Sequence, residues 1–87
     1  MYKLKPSKEF EKGLKKLSVN EQRQTAAKLR VFVQNPFHPS LRTKKVQGFK
    51  GVFEMSVNMD IRILWKYKKG TLILLIAIGH HKEILGN

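Results

Sequence analysis

Four side chains in this sequence have the types and spacing to do chemistry: His80 and His81, adjacent near the C-terminus, and Asp60 and Arg62, two positions apart. An imidazole carries protons near neutral pH. A guanidinium presents a rigid fork of donors that suits a phosphate gripped by two parallel bonds. A histidine and an arginine on one face would make a minimal apparatus for moving protons at a phosphate, with Asp60 or Glu54 orienting or polarising the ring. Each residue also has a plainer reading. The histidine pair reads as a solvated polar terminus, Arg62 as a surface cation on a strand, and Asp60 as a turn former after Asn58. Glu54 is an odd neighbour for an anion, and a salt bridge to Arg62 is its simplest use. His38, between prolines in Pro36-Phe37-His38-Pro39, reads as structural. Three histidines, no cysteine and a nearby Glu83 make a poor metal site, so neither a metal nor a small-molecule cofactor is expected.

Charge points to the partner. Eighteen Lys and Arg against six Asp and Glu leave +12 over 87 residues. A polyanion is the natural partner of such a surface, because each neutralised phosphate releases condensed counterions. Arg42, Lys44, Lys45 and Lys50 form a basic run, and Lys66 adds a cation on a strand. They read as a solvated loop or, since they flank the polar face that strand register defines, as phosphate contacts. A membrane is not expected. The longest apolar run, Leu72–Ile78, is far below the roughly 20 residues a spanning helix needs. Met1–Pro6 lacks the apolar stretch of a signal peptide, and the stripe of Phe10, Leu14 and Leu17 is narrow enough to be ordinary core. Together with the absence of cysteine, this predicts a soluble, cytoplasmic chain forming one domain over residues 1–87. A core this small leaves little stability to spare, so a stabilising partner fits.

Elements must position these residues. Met1–Lys5 alternates and predicts a short strand. Ser7 is a good N-cap for a helix through Leu17 whose apolar residues recur at i, i+4 and i+7. Ser18-Val19-Asn20-Glu21 is a capping box opening a second helix, with Ala26, Leu29 and Val33 on one face, which stops before Asn35-Pro36. The closeness of the two predicts an antiparallel hairpin. Residues 36–50 read as an irregular basic connection. Val52–Val57 and Ile61–Tyr67 alternate, Lys69-Gly70 reads as a turn, and Thr71–Ile78 is apolar on both faces. The fold class is therefore α+β: an N-terminal strand, a helical hairpin and a three-stranded antiparallel meander, giving a small twisted four-stranded sheet with the helices on one face.

Register narrows the site. Placing Phe53, Met55 and Val57 on one face with Ile61, Ile63 and Trp65 requires an odd loop, and Asn58-Met59-Asp60 sets Ser56 opposite Arg62. A turn at Lys69-Gly70 sets Arg62 opposite Ala77 and Ile63 opposite Ile76. The face away from the helices then carries Glu54, Ser56, Arg62, Ala77 and, if the strand direction persists, Gly79 and His81, with His80 pointing the other way. Trp65 and Tyr67 fall on the core face and read as packing.

The run VFEMSVNMDIRILWKYKKGTLILLIAIGHHKEIL, with NPFHPSLRTKKVQG before it, resembles the RelE/ParE toxin superfamily in order, length, basicity and the D-x-R-[IL]…G-x-H ending. The resemblance spans essentially the whole chain, helical hairpin included. It implies a RelE-like, microbial-ribonuclease-type fold and the toxin half of a type II toxin–antitoxin module, bound by a cognate acidic antitoxin. RelE-, YoeB- and YafQ-like members cut mRNA in the ribosomal A site, which implies mRNA and 16S rRNA as partners. ParE-like members inhibit DNA gyrase instead, so a non-enzymatic inhibitor or a degenerate toxin acting as a binding module is the alternative. Arg62 matches the arginine that contacts the scissile phosphate in RelE- and YoeB-like enzymes, and Asp60 matches the aspartate that precedes the tryptophan in YafQ-like ones. His81 matches the C-terminal active-site histidine of YafQ-like members, whereas His80 aligns better with that of YoeB-like ones. The sequence departs from the pattern in three places. Ser56 stands where many members carry Arg or His, Ala77 replaces a last-strand Arg, and Leu85 replaces a terminal Tyr or Phe.

Overall fold

The computed structural model describes residues 1–85, the last of them by its backbone alone. The elements in chain order are β1 (Lys3–Pro6), α1 (Lys8–Lys16), α2 (Val19–Phe32), a 3-10 turn at Pro39–Leu41, β2 (Lys44–Lys45), β3 (Phe53–Ser56), β4 (Ile61–Lys69), β5 (Leu72–His80) and α3 (His81–Leu85).

Both helix starts are set by serine. Ser7 Oγ accepts from the Phe10 N–H at 3.0 Å and donates to the Ile76 carbonyl at 2.6 Å, so the cap of α1 is also its tether to the sheet. Ser18 and Glu21 satisfy each other's backbone N–H at 3.1 and 2.9 Å, a complete capping box. Gln22 Nε2 then donates to the carbonyls of Leu14 and Leu17, closing the end of α1 with the first turn of α2. Helix α1 lies along β5, with Phe10 and Leu17 buried. The buried side of α2 is not the one its small residues suggest. Thr25 and Phe32 are buried and Leu29 packs against the core, while Ala26 is exposed. Phe32 decides this orientation: its ring meets Trp65 edge-to-face with centroids 5.0 Å apart, an aromatic burial that Ala26 cannot match. Trp65 is fully buried and stacks on Phe53 at 4.7 Å.

The sheet has five strands in the order β1-β5-β4-β3-β2, not four. Lys44 and Lys45, expected in an irregular connection, pair with Glu54 and Phe53 as β2. The sheet is also mixed. Although two helices and three strands separate them in sequence, β1 and β5 pair in parallel, Leu4 with Ile73. Between β3 and β4 the register is the one the alternation implies, Ser56 opposite Arg62. Between β4 and β5 it is not. The turn falls at Gly70-Thr71, with Gly70 in the left-handed region that suits it (φ 53°), and Lys69 pairs with Leu72. Arg62 therefore faces Gly79 and Ile63 faces Ile78. Two irregularities, at Lys68 on β4 and Ile76 on β5, offset each other in register, and the inward alternation of β5 shifts at the second, from Ile73 and Leu75 to Ile78.

Candidate functional site

The face of the sheet turned away from α1 and α2 carries Glu54, Ser56, Arg62 and Leu64, and α3 lies at one end of it. Its chemistry centres on a carboxylate. Glu54 is 4 % exposed, the one buried charged residue among those described, and an oxygen of its side chain lies 3.7 Å from Arg62 Nε and 3.9 Å from Lys44 Nζ. The Lys44 arm is solvated, and such an exposed contact adds little. The Arg62 arm is more enclosed, the arginine side chain being 18 % exposed. Arg62 Nη1 also donates to the Asn58 and Met59 carbonyls at 2.7 and 2.9 Å. Asn58 builds that loop, its Oδ1 accepting from the N–H groups of Asp60 and Ile61, both at 2.8 Å. The arginine is thus held from two sides, by a buried carboxylate and by the carbonyls of the β3–β4 connection.

Two clefts meet at this pair. One, of about 350 Å³, is lined by Arg62, Ser56 and Asn58 together with Lys28, Ser40 and Arg42. The other, of about 870 Å³, has Leu64, Ile76 and Ile84 among its apolar walls, with Glu54, His81, Lys44 and Lys45 around them. Glu54 joins the clefts, bridging to Arg62 in one while lining the other. His81 is set by backbone: its N–H donates to the Asp60 carbonyl at 2.8 Å as β5 ends and α3 begins. Its Nδ1 is buried without a hydrogen-bond partner among the described residues, and such orphans are rare enough to ask what they serve.

The candidate residues divide accordingly. Arg62, Glu54 and His81 share the face, but Arg62 and His81 open into different clefts and no hydrogen bond joins them. Asp60 is exposed and meets His81 through its carbonyl, not its carboxylate. His80 is exposed and lines a separate groove with Glu9, Lys12 and Glu83 beside α1. Arg42 flanks Arg62, Lys44 and Lys45 flank His81, Lys66 stands exposed farther along β4, and Lys50 lies in the turn before β3, lining neither cleft. His38 caps the 3-10 turn, its Nδ1 accepting from the Ser40 N–H at 3.1 Å. Ala77 faces Leu64, so neither it nor Ser56 adds charge. The side chain of Leu85 falls outside the described residues. Lys28 is the residue that sequence reasoning misses. It reaches the Arg62 cleft from α2, donating to the Ser40 carbonyl at 3.3 Å, a placement only tertiary packing makes visible. Among the described residues no group of three or more His, Asp or Glu side chains is placed to hold a metal ion.

No protein-family model matches this sequence, and no curated protein sequence does. Solved structures do match. YafQ from Escherichia coli superposes with a TM-score of 0.79 at 16 % identity, covering 99 % of this chain and 100 % of that one. RelE in the archaeal RelE–RelB complex of Pyrococcus horikoshii gives 0.75 at 17 % identity, over 91 % and 93 %. A YoeB/ParE toxin from Agrobacterium tumefaciens gives 0.76 at 13 % identity, over 91 % and 98 %. The chain has the fold of the RelE/ParE toxin superfamily.

Proposed function

We propose that this chain is the toxin of a type II toxin–antitoxin pair and that it cuts mRNA on the ribosome. The observation that carries the reading is the shared sheet face, where Arg62, Glu54 and His81 stand within a frame of cations formed by Lys28, Arg42, Lys44 and Lys45. RNA cleavage of this kind needs few parts. A base removes the 2′-hydroxyl proton, the 2′-oxygen attacks phosphorus, and the bond to the 5′-oxygen breaks as an acid protonates it, leaving a cyclic phosphate and a 5′-hydroxyl. Arg62 neutralises the charge that builds on the phosphorane. His81 serves as general acid or base, and the lysines hold the strand. The partner is an acidic antitoxin, as the archaeal RelE stands in complex with RelB.

The test is induced expression of the chain in cells, with primer extension on a reporter mRNA. Growth arrest with new 5′ ends in translated message is expected, and R62Q/H81Q should abolish both while circular dichroism stays unchanged. Uncut message with undiminished translation would overturn the reading. One observation favours the alternative of a non-enzymatic inhibitor acting on gyrase: Arg62 is already engaged by Glu54 and the loop carbonyls, and Ser56 and Ala77 supply no second cation. Blocked supercoiling beside normal translation would decide for it.

A further inference from the structure

Beyond the clefts, the same face carries a second concentration of charge. Lys3 and Lys5 alternate along β1 with Tyr2 and Leu4, which pack against the core, so the lysines take the opposite face. Lys5 pairs with Leu74, which pairs in turn with Lys66; Lys3 pairs with Leu72, which pairs with Lys69. The strands therefore set two rows of Lys–Leu–Lys side by side, about 10 Å across the row and about 7 Å between rows. Lys68, the extra residue of the β4 irregularity, joins them. Its amine is drawn below the ordinary lysine range by a side-chain contact with Lys5, by the charge of Lys5, and to a lesser degree by that of Lys66. All five lysines are exposed. Both ion pairs among the described residues run to Glu54, so none of the five has a carboxylate partner there. Five like charges gathered without a counter-charge repel one another, and a run of phosphates laid across them removes that repulsion.

We propose that Lys3, Lys5, Lys66, Lys68 and Lys69 form a second RNA-backbone site, separate from the clefts at Arg62 and His81. The choice of RNA rests on the proposed function. Arg62, Leu64 and Lys66 follow one another on a single face of β4, and two steps of that strand span only about 13 Å. An RNA strand held at Arg62 and leaving along β4 passes Leu64 and runs onto the lysines. The patch itself needs no cleavage to bind, so the two ideas fail separately.

The experiment measures fluorescence anisotropy of the full chain with a short, labelled, fully 2′-O-methylated RNA, which cannot be cut, over a salt titration. K3Q/K5Q/K68Q should weaken binding roughly tenfold and flatten the slope of log affinity against log salt by about 2, near 0.7 for each single-strand phosphate that is no longer neutralised. K8Q/K12Q/K15Q, which removes the same charge from α1, should bind like the unaltered chain. R62Q/H81Q, which removes the contact at Arg62, should weaken binding as well, and adding K3Q/K5Q/K68Q to it should weaken binding again by roughly tenfold, because the patch is a separate contact. Equal losses in the two triple variants would overturn the proposal, because net charge alone would explain them. It would also fall if K3Q/K5Q/K68Q kept its RNA affinity and lost only binding to a polyglutamate peptide, which would assign the patch to an acidic protein. RNA binding that depends on the patch, in a chain that cuts no message, would uphold the site and remove the cleavage reading.

Discussion

Glu54 and Arg62 decide how the polar face holds together. A carboxylate this buried is tolerable only where cations and donors meet it, and the 3.7 Å contact to Arg62 is the enclosed one. Removing the charge while keeping the shape should expose the dependence. Glu54→Gln should lower stability by about 1–3 kcal/mol, the range for losing a charged partner, as measured by urea denaturation. R62Q should cost at least as much, because it strands the buried carboxylate. If the two effects are additive in the double variant, the pair contributes nothing and the charges act independently. Asn58 offers a second test. Its Oδ1 bonds to the N–H groups of Asp60 and Ile61 form the loop, while its Nδ2 donates to Gln24 Oε1 at 2.6 Å and ties the loop to α2. Asn58→Asp keeps the acceptor and loses only the tie, whereas Asn58→Ala loses both. The alanine variant should therefore be the less stable by about 1 kcal/mol and, on the proposed function, should arrest growth less, since Arg62 leans on that loop's carbonyls. Equal stability of the two would mean the turn forms without its side chain.

At the scale of elements, close approach matters more than propensity. A Cβ added at Gly13 would collide with the Ile78 carbonyl oxygen, backbone that cannot give way. Alanine in mid-helix would otherwise gain about 1 kcal/mol. Gly13→Ala should nonetheless destabilise, by about 1–3 kcal/mol net, because α1 must lift from β5, and a rise in thermal midpoint would refute that close approach. The sequence shows only that Gly13 interrupts a helix, not what the gap admits. The same limit separates the legible parts of the fold from the rest. Serine caps and the β3–β4 register follow from local rules, so Ser7, Ser18 with Glu21, and Ser56 opposite Arg62 all stand as read. The salt bridge between Glu54 and Arg62 follows from that register. The β4–β5 register does not, because Thr71–Ile78 is apolar on both faces and alternation cannot locate a bulge at Ile76. Nor does β2: Lys44 and Lys45 are a strand only because Glu54 and Phe53 lie beside them. Helical spacing places Ala26 inside, but Phe32 turns the helix about its axis. Lys28 beside Arg62 belongs to the same class, a neighbour created by packing alone.

The whole molecule is governed by its unbalanced charge. Eighteen cations against six carboxylates leave +12, on a surface of 5998 Å², and most of the lysines have no ionic partner among the described residues. Such a surface repels itself, and the repulsion is felt over a Debye length of about 10 Å at 0.1 M salt. Salt should therefore act with opposite signs on two properties of this chain. Stability of the free protein should rise with ionic strength, because screening relieves the self-repulsion while the hydrophobic packing around Trp65 is indifferent to it. Affinity for RNA, and for the acidic antitoxin proposed as partner, should fall over the same range, because both depend on released counterions and charge complementarity. The antitoxin should then substitute for salt. At a free concentration a hundred times its Kd it adds about 2.7 kcal/mol by mass action, and in a chain of this size each kcal/mol raises the thermal midpoint by about 4–8 °C. Calorimetry of the free chain across a sodium chloride series, repeated on the complex, reads both effects. A midpoint for the free chain that falls as salt is added would mean that Glu54 and its neighbours contribute more attraction than the surplus lysines contribute repulsion. Self-repulsion would then not be what limits the stability of the free chain, and the antitoxin would have no excess charge to relieve.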